Sequence, residues 1–326
     1  MGIENLKEKL VPVSGNLKEL HSHDSNDHYL VQEICFEPEE YAGATHVLIG
    51  CPQDEGVRRN NGRTGAAKAP DKIREQFYKM QHPDTSEVKI FDAGNVVITD
   101  FTAGADSDVA VDEALVLEYA HEHLHQVVLQ FLKDGKKVIV LGGGNDISYA
   151  DVRALAEVEE NISAINIDAH LDMRIAEQMT SGTPYRKLIE DGFLSPQNFY
   201  EFGIRRVSNA AFYLEDAEKM GVNIYNFHQL LEEGVIDSFQ QILNKIDNSI
   251  FFLGLDMDSI QASDAPGVSA SSPIGFKGQE ILQLIHHAKQ KENLRIFEIT
   301  ETNPRYDIDG RTSKLAAGLV YGFLFG

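Results

Sequence analysis

Residues 166–174 read NIDAHLDMR and residues 254–260 read GLDMDSI. The first stretch spaces Asp168, His170 and Asp172 at i, i+2 and i+4, and the second spaces Asp256 and Asp258 at i and i+2. In an extended chain alternate side chains share a face. Two carboxylates and an imidazole would then converge after one strand, and two carboxylates after another. A lone aspartate after a strand is ordinarily a turn or cap residue. Four of them in close spacing repel one another unless a cation stands among them. Mixed oxygen and nitrogen donors suit Mn²⁺, with Zn²⁺, Fe²⁺, Ni²⁺ or Co²⁺ as alternatives. Four aspartates exceed the needs of one divalent ion. They point to two ions with bridging carboxylates and a water that ionises near neutral pH.

Two further stretches belong with these. LGGGNDISYAD (141–151) puts three glycines after the apolar run KKVIVL. No Lys-Ser/Thr follows, so it is not a phosphate loop, and a dinucleotide fingerprint would need glycine where Ile147 stands. A tight turn that lets backbone approach the metal centre explains the glycines better, with Asn145 offering its amide oxygen as a ligand or a hydrogen bond. Glu301, in EITETNPRYD, could hold a cationic amidinium or guanidinium group, or simply start a helix before Pro304. HSHDSNDH (21–28) could collect a metal, but it has no strand or helix beside it to fix ligand geometry. It reads as part of a solvated leader segment, residues 1–43.

Something must hold these groups, and from residue 45 onward short apolar runs alternate with helical patterns. Strands are expected at 45–50, 137–142, 163–168, 198–203, 249–258 and 294–300. Helices are expected at 107–133, 146–157, 208–220, 235–246, 277–291 and 310–323. The alternation implies one α/β domain, residues 44–326, with a mostly parallel sheet and helices on both faces. In such sheets ligands bind beyond the carboxyl ends of the strands, and GGGND, DAHLD, GIRR, DMD and ETNP stand at those ends.

The chain carries 29 basic and 51 acidic residues, a formal net charge of −22. That argues against nucleic-acid and anionic-membrane partners. Its two cysteines, Cys35 and Cys51, make no disulfide framework. The segment MGIENLKEKL lacks the apolar core of a signal peptide, and no stretch reaches the roughly 20 apolar residues of a membrane helix. A cytoplasmic protein is expected.

Together GRTGAAKAPDKIR (62–74), LGGGNDISYA, INIDAHLDMR, TSGTPYRKL (180–188), GLDMDSI, APGVSA (265–270) and ETNPRYDIDGRTSKLAA (301–317) resemble the arginase/agmatinase (ureohydrolase) family, most of all its formimidoylglutamase branch. The resemblance implies a three-layer α/β/α fold with a mainly parallel, eight-stranded sheet. It also implies two Mn²⁺ ions. Asp168 and Asp256 would bridge them, Asp172 would complete one, and His170 with Asp258 the other. The family's remaining ligand, the histidine of G-G-x-H, is Asn145 here, so one ion is expected to be held weakly. Glu301 would grip the amidine, and Asp172 would relay the proton in hydrolysis at an amidine or guanidine carbon. Tyr185 stands where arginases carry a proton-shuttling histidine, which argues against arginase proper. The family's habit implies a homo-oligomer, a trimer or hexamer.

Arg174 follows the DAHLD ligands by two, where arginases carry asparagine. Its planar fork can hold a carboxylate, so an anionic small-molecule substrate is expected. N-formimidoyl-L-glutamate, which bears two carboxylates, fits, with water giving L-glutamate and formamide in histidine breakdown. Ser181, Thr183, Arg63 and Arg206 are further substrate-contact candidates. The alternatives are another amidino or guanidino hydrolase, such as one for agmatine or a guanidino acid, and a metal-poor binding protein without catalysis.

Overall fold

The computed structural model describes residues 3–83, 86–98 and 115–326. Among them nine strands form one sheet: β1 (Leu10–Val11), β2 (His46–Gly50), β3 (Ile90–Val96), β4 (Lys137–Leu141), β5 (Ile162–Ile167), β6 (Phe199–Ile204), β7 (Asn223–Asn226), β8 (Ile250–Asp256) and β9 (Leu294–Thr300). Their order is β1-β3-β2-β4-β9-β8-β5-β6-β7. The eight strands β2–β9 pair in parallel throughout, as expected. The ninth, β1, is two residues long and lies antiparallel on the edge against β3.

The sequence period sorts the strand side chains between two cores. On β4, Ile139 and Leu141 face one core and Val138 and Val140 the other, as a period of two requires. One core is covered by helices Ala69–Phe77, Val235–Lys245, Gly278–Lys289 and Arg311–Phe325. The other is covered by Val116–Lys133, Ser148–Val158, Pro184–Glu190 and Ala211–Met220. That is the three-layer arrangement. In Val235–Lys245, Val235, Phe239 and Ile242 lie at i, i+4 and i+7 and are all buried, which is the apolar stripe of a helix on a sheet.

The expected strands and helices are present to within a few residues. The expected helix 107–133 is observed as Val116–Lys133, and residues 107–114 lie outside the described residues. Strands β1, β3 and β7 and helices Ala69–Phe77 and Pro184–Glu190 were not anticipated. Strand β3 reads IFDAGNV, and its Asp, Gly and Asn hide the apolar pattern. In the segment 1–43, Ile3, Leu6, Leu30, Val31, Ile34 and Tyr41 are buried against the two cores.

Asp92, which breaks the β3 pattern, has a structural use. Arg74 is fully buried and grips its carboxylate with Nε at 2.8 Å and Nη2 at 2.9 Å, while Tyr78 donates to it at 2.6 Å. The pair ties helix Ala69–Phe77 to β3. Removing one partner of such a pair leaves a buried, uncompensated charge. Arg74→Met is therefore expected to destabilise the fold by about 3–5 kcal/mol, read from urea unfolding midpoints. A loss below about 1 kcal/mol, the range of surface pairs, would show that the pair is not needed.

Candidate metal centre

The chain winds outward in both directions from the middle of the sheet. Strands β4 and β5 are consecutive in sequence, yet β9 and β8 are inserted between them. This is a topological switch point, where the loops at the strand ends part and leave a crevice. Asn145 follows β4, Glu301 follows β9, Asp256 ends β8 with Asp258 beyond it, and Asp168 follows β5. Register keeps them level: Ile167 lies beside Leu255, and Asp256 beside Thr300.

Asp168, His170 and Asp258 bring ligand atoms within 4.8 Å of one another, and so do Asp168, Asp172 and Asp256. Asp168 belongs to both triads. The expected convergence is real, but its expected cause is not. Strand β5 ends at Ile167, and the chain turns instead of staying extended. The His170 backbone N–H donates to Asp168 Oδ1 at 2.7 Å, and the Asp258 N–H donates to Asp256 Oδ1 at 2.7 Å. Two equivalent Asx turns thus present each pair. Asp172 then adopts a left-handed backbone, φ +45°, and so does Glu301, φ +61°. Such conformations in side-chain-bearing residues cost of order 1–3 kcal/mol and concentrate at functional sites.

Burial without compensation governs the charges. Burial pushes the carboxyls of Asp168, Asp172, Asp256 and Glu301 above the usual carboxylate range, and neighbouring acids push Asp172, Asp256 and Glu301 further. The Asp258 carboxylate, 3.1 Å from His170 Nδ1, is the main cause that raises the imidazole to about 12. Asp258 Oδ1 is buried with no hydrogen-bond partner among the described residues. Buried acids that repel one another, an orphaned carboxylate oxygen and an imidazole among them are a donor set in need of cations. The residues present fit divalent metal ions.

Asn145 sits beside this set. Its Nδ2 donates to Asp172 Oδ2 at 2.6 Å, and its backbone N–H donates to Glu301 Oε1 at 3.1 Å. Of the two expected uses of its amide, the hydrogen bond is the one seen. The glycine turn that carries it passes very close to the loop after β2. A Cβ on Gly143 would lie 1.6 Å from the Gln53 carbonyl oxygen, so no larger residue fits.

A cleft of about 340 Å³ opens over the cluster, lined by His170, Asp172, Asp256, Asp258 and Glu301 and by Arg63, Arg174 and Ser181. Arg174 is exposed, and no described carboxylate pairs with its guanidinium. Arg63 is largely committed: Nε and Nη2 donate to the carbonyls of Ser269 and Val268, and the guanidinium lies 4.2 Å from the Tyr306 ring. Ser181 Oγ accepts from Asn60 Nδ2 at 3.2 Å.

Two expected substrate contacts are not brought to the cleft. Thr183 is fully buried, and its hydroxyl donates to Thr180 O at 2.9 Å within the turn before helix Pro184–Glu190. Arg206 is exposed away from the lining, because its neighbour Arg205 takes the inward position beyond β6. Arg205 is buried, donates to the Ile274 carbonyl, and reaches the Asp258 carbonyl at 3.5 Å. Tyr185, at the shuttle position, is fully buried, with its ring stacked on Phe199 at 4.4 Å. Asn60, Asn209 and Tyr213 line the cleft and were not anticipated. Nothing but their place in the fold identifies them. The histidines of 21–28 join no group of three potential ligands among the described residues.

A polar layer beneath the cluster was also missed. Asn166, Glu201 and Glu298 are fully buried on the sheet face covered by Ser148–Val158 and Pro184–Glu190. Asn166 Nδ2 links Asp168 and Glu201, each at 3.2 Å. Ser148 Oγ lies 2.5 Å from Glu298 Oε1. Burial raises the carboxyls of Glu201 and Glu298, and it lifts Asp151, beside Glu298, to about 7. The signal was available: one polar residue inside each apolar run, SAINID, FYEFGI and RIFEIT.

A model of the arginase family matches residues 44–326, and the chain belongs to that family. The chain is similar to formimidoylglutamase of Paraburkholderia xenovorans, 33% identical over 297 residues that cover 85% of this chain and 87% of that protein. Its structure is similar to that of Trypanosoma cruzi formiminoglutamase with Mn²⁺, at a TM-score of 0.81 and 29% identity over 92% of this chain and 98% of that one. It is equally similar to formimidoylglutamase from Bacillus subtilis, TM-score 0.81 and 27% identity over 94% of each chain. No helix among the described residues is long and apolar enough to cross a membrane.

Proposed function

We propose that this chain is a manganese-dependent hydrolase of N-formimidoyl-L-glutamate that yields L-glutamate and formamide, a step of histidine degradation. The observation that carries the proposal is the placement of Arg174, a guanidinium without a described carboxylate partner, at the cleft above the two triads. The curated relative and the two solved structures named above bear that activity's name and support the assignment.

Asp168, His170 and Asp258 would hold one Mn²⁺, and Asp168, Asp172 and Asp256 the other. When bound, the ions supply Lewis acidity and lower the pKa of water next to the amidine carbon. The remaining work falls to the chain. Glu301 holds the formimidoyl group as an amidinium through its carboxylate. Arg174 holds a substrate carboxylate at the cleft mouth. The water oxygen bonds to the formimidoyl carbon, and Asp172 accepts the water's proton on its carboxylate. The bond from that carbon to the glutamate nitrogen then breaks as Asp172 returns the proton to the leaving amine.

The assay is direct. The full chain with added Mn²⁺ is offered formimidoylglutamate, arginine and agmatine, with bound metal measured in parallel. Turnover of formimidoylglutamate above the other two is expected. No turnover of any of them at saturating Mn²⁺ refutes the hydrolase, and turnover of agmatine alone refutes the role of Arg174.

Metal uptake has a pH signature. Ligation needs neutral imidazole and ionised carboxyls. In the metal-free protein His170 is held protonated across neutral pH, and Asp172 and Asp256 are raised as well. Protons and Mn²⁺ therefore compete, so affinity rises as pH increases from 6 to 8. Calorimetry in buffers of different ionisation enthalpy should give different heats of Mn²⁺ binding. Buffer-independent heats would mean that no proton leaves.

A further inference from the structure

The seat of the Asn145 amide is made of hydroxyls, and a hydroxyl can face an amide either way. Asn145 Oδ1 accepts from Thr300 Oγ1 at 3.1 Å and from Ser148 Oγ at 3.2 Å, and all three residues are buried. The amide thereby turns its NH₂ toward Asp172. An NH₂ group has no lone pair to offer a cation.

We infer that Ser148 and Thr300 are positioning residues of the metal centre. They hold the amide with its nitrogen toward Asp172 in the absence of a cation, and they accept from that nitrogen once the amide turns over to present Oδ1 to the ion. The inference rests on the metal-centre reading above.

Each hydroxyl carries one proton and two lone pairs, so both can reverse roles without losing the amide as a partner. Ser148 has a place to send its proton. Its Oγ is 2.5 Å from Glu298 Oε1, and Asp151 lies behind Glu298. Two buried carboxyls with no cation beside them share a proton. With amide oxygen at the seat, that proton lies between Glu298 and Ser148, and Ser148 donates to Asn145. With amide nitrogen at the seat, Ser148 donates to Glu298 and the shared proton moves to the Asp151 side. The proton count is the same in both arrangements. Among the described residues Glu298 Oε2 and both Asp151 carboxylate oxygens have no other hydrogen-bond partner, which leaves them able to take it.

The two arrangements do not need the hydroxyls equally. A carbonyl oxygen that keeps one donor is served, whereas an NH₂ group has two hydrogens and needs two acceptors when buried. Removing one hydroxyl therefore penalises the turned-over amide more than the resting one.

The test is Mn²⁺ binding to the full chain, followed by equilibrium dialysis and by the electron-spin resonance of free Mn²⁺. Thr300→Val is expected to weaken one of two ions about tenfold and leave the other unchanged, and Thr300→Ser is expected to restore it. Ser148→Ala should weaken the same ion, and it serves if the Thr300 variant does not fold. A purely structural role would lower the melting temperature of the metal-free protein without separating the two affinities. Folded Thr300→Val or Ser148→Ala with both affinities unchanged overturns the inference. A wild-type chain that binds no Mn²⁺ overturns the metal-centre reading instead.

Discussion

Asp168→Asn is expected to empty both metal positions and to lower kcat/KM by about a thousandfold or more, some 4 kcal/mol of transition-state stabilisation. The reason is its double membership. Asp168 is the one residue common to both ligand triads, so a single substitution reaches both ions. Asparagine keeps the shape and the carbonyl that accepts from the His170 N–H, so the loop should persist. Burial raises the Asp168 carboxyl above its ordinary value. In the metal-free protein its charge is therefore a cost to folding above the unfolded value, and the cost grows until the folded value is passed. Removing that charge should leave the metal-free protein folded. Asp172→Asn and Asp258→Asn each touch one triad only and should each lose one ion. Metal analysis with melting curves checks this. An Asp168→Asn protein that keeps two ions, or works at more than a tenth of the normal rate, would remove the residue from the centre.

Arg174→Ala is expected to reduce formimidoylglutamate turnover by about ten- to a hundredfold, the value of a charge-assisted hydrogen bond. Most of the loss should appear as a higher KM, because the arginine binds a part of the substrate that does not react. Any residual agmatine hydrolysis should be unaffected, since agmatine has no carboxylate to hold. The structure favours this over a purely structural arginine: no described carboxylate pairs with it, and its side chain is exposed at the cleft. Equal losses on both substrates would mean that Arg174 supports the loop and not the substrate. The backbone of Arg174, which donates to Gly182 O at 2.9 Å, is the contact such a result would implicate.

How much of this was legible in the sequence depended on how local the cause was. The aspartates and histidine of the two triads announced themselves by spacing, and the strand ends that carry them were visible in apolar runs. The means of convergence was not visible. It depends on side-chain-to-backbone turns and on left-handed Asp172, which a strand period cannot express. The sequence does not separate Arg206 from Arg205, because a pair of arginines carries no sign of which one faces inward. Burial decided for Arg205. Thr183 looked available and is used up by its own turn. Strand β3 does not show as a strand in the sequence because the buried partner of Arg74 sits in the middle of it, so that a structural ion pair resembles a loop.

The triad of Asp168, Asp172 and Asp256 contains no nitrogen or sulfur donor, and the Asn145 amide, once turned over, would add only another oxygen. Zinc, nickel and copper gain most from nitrogen and sulfur ligands, whereas manganese and magnesium are content with oxygen. With Asn145 where the resemblance implies a histidine, the competition among metals would change as well as the strength of binding. Such a centre would give up some grip on manganese and more on the metals that would displace it. Protection against mismetallation in a mixed cellular pool would be the benefit that accompanies the more weakly held ion the resemblance implies.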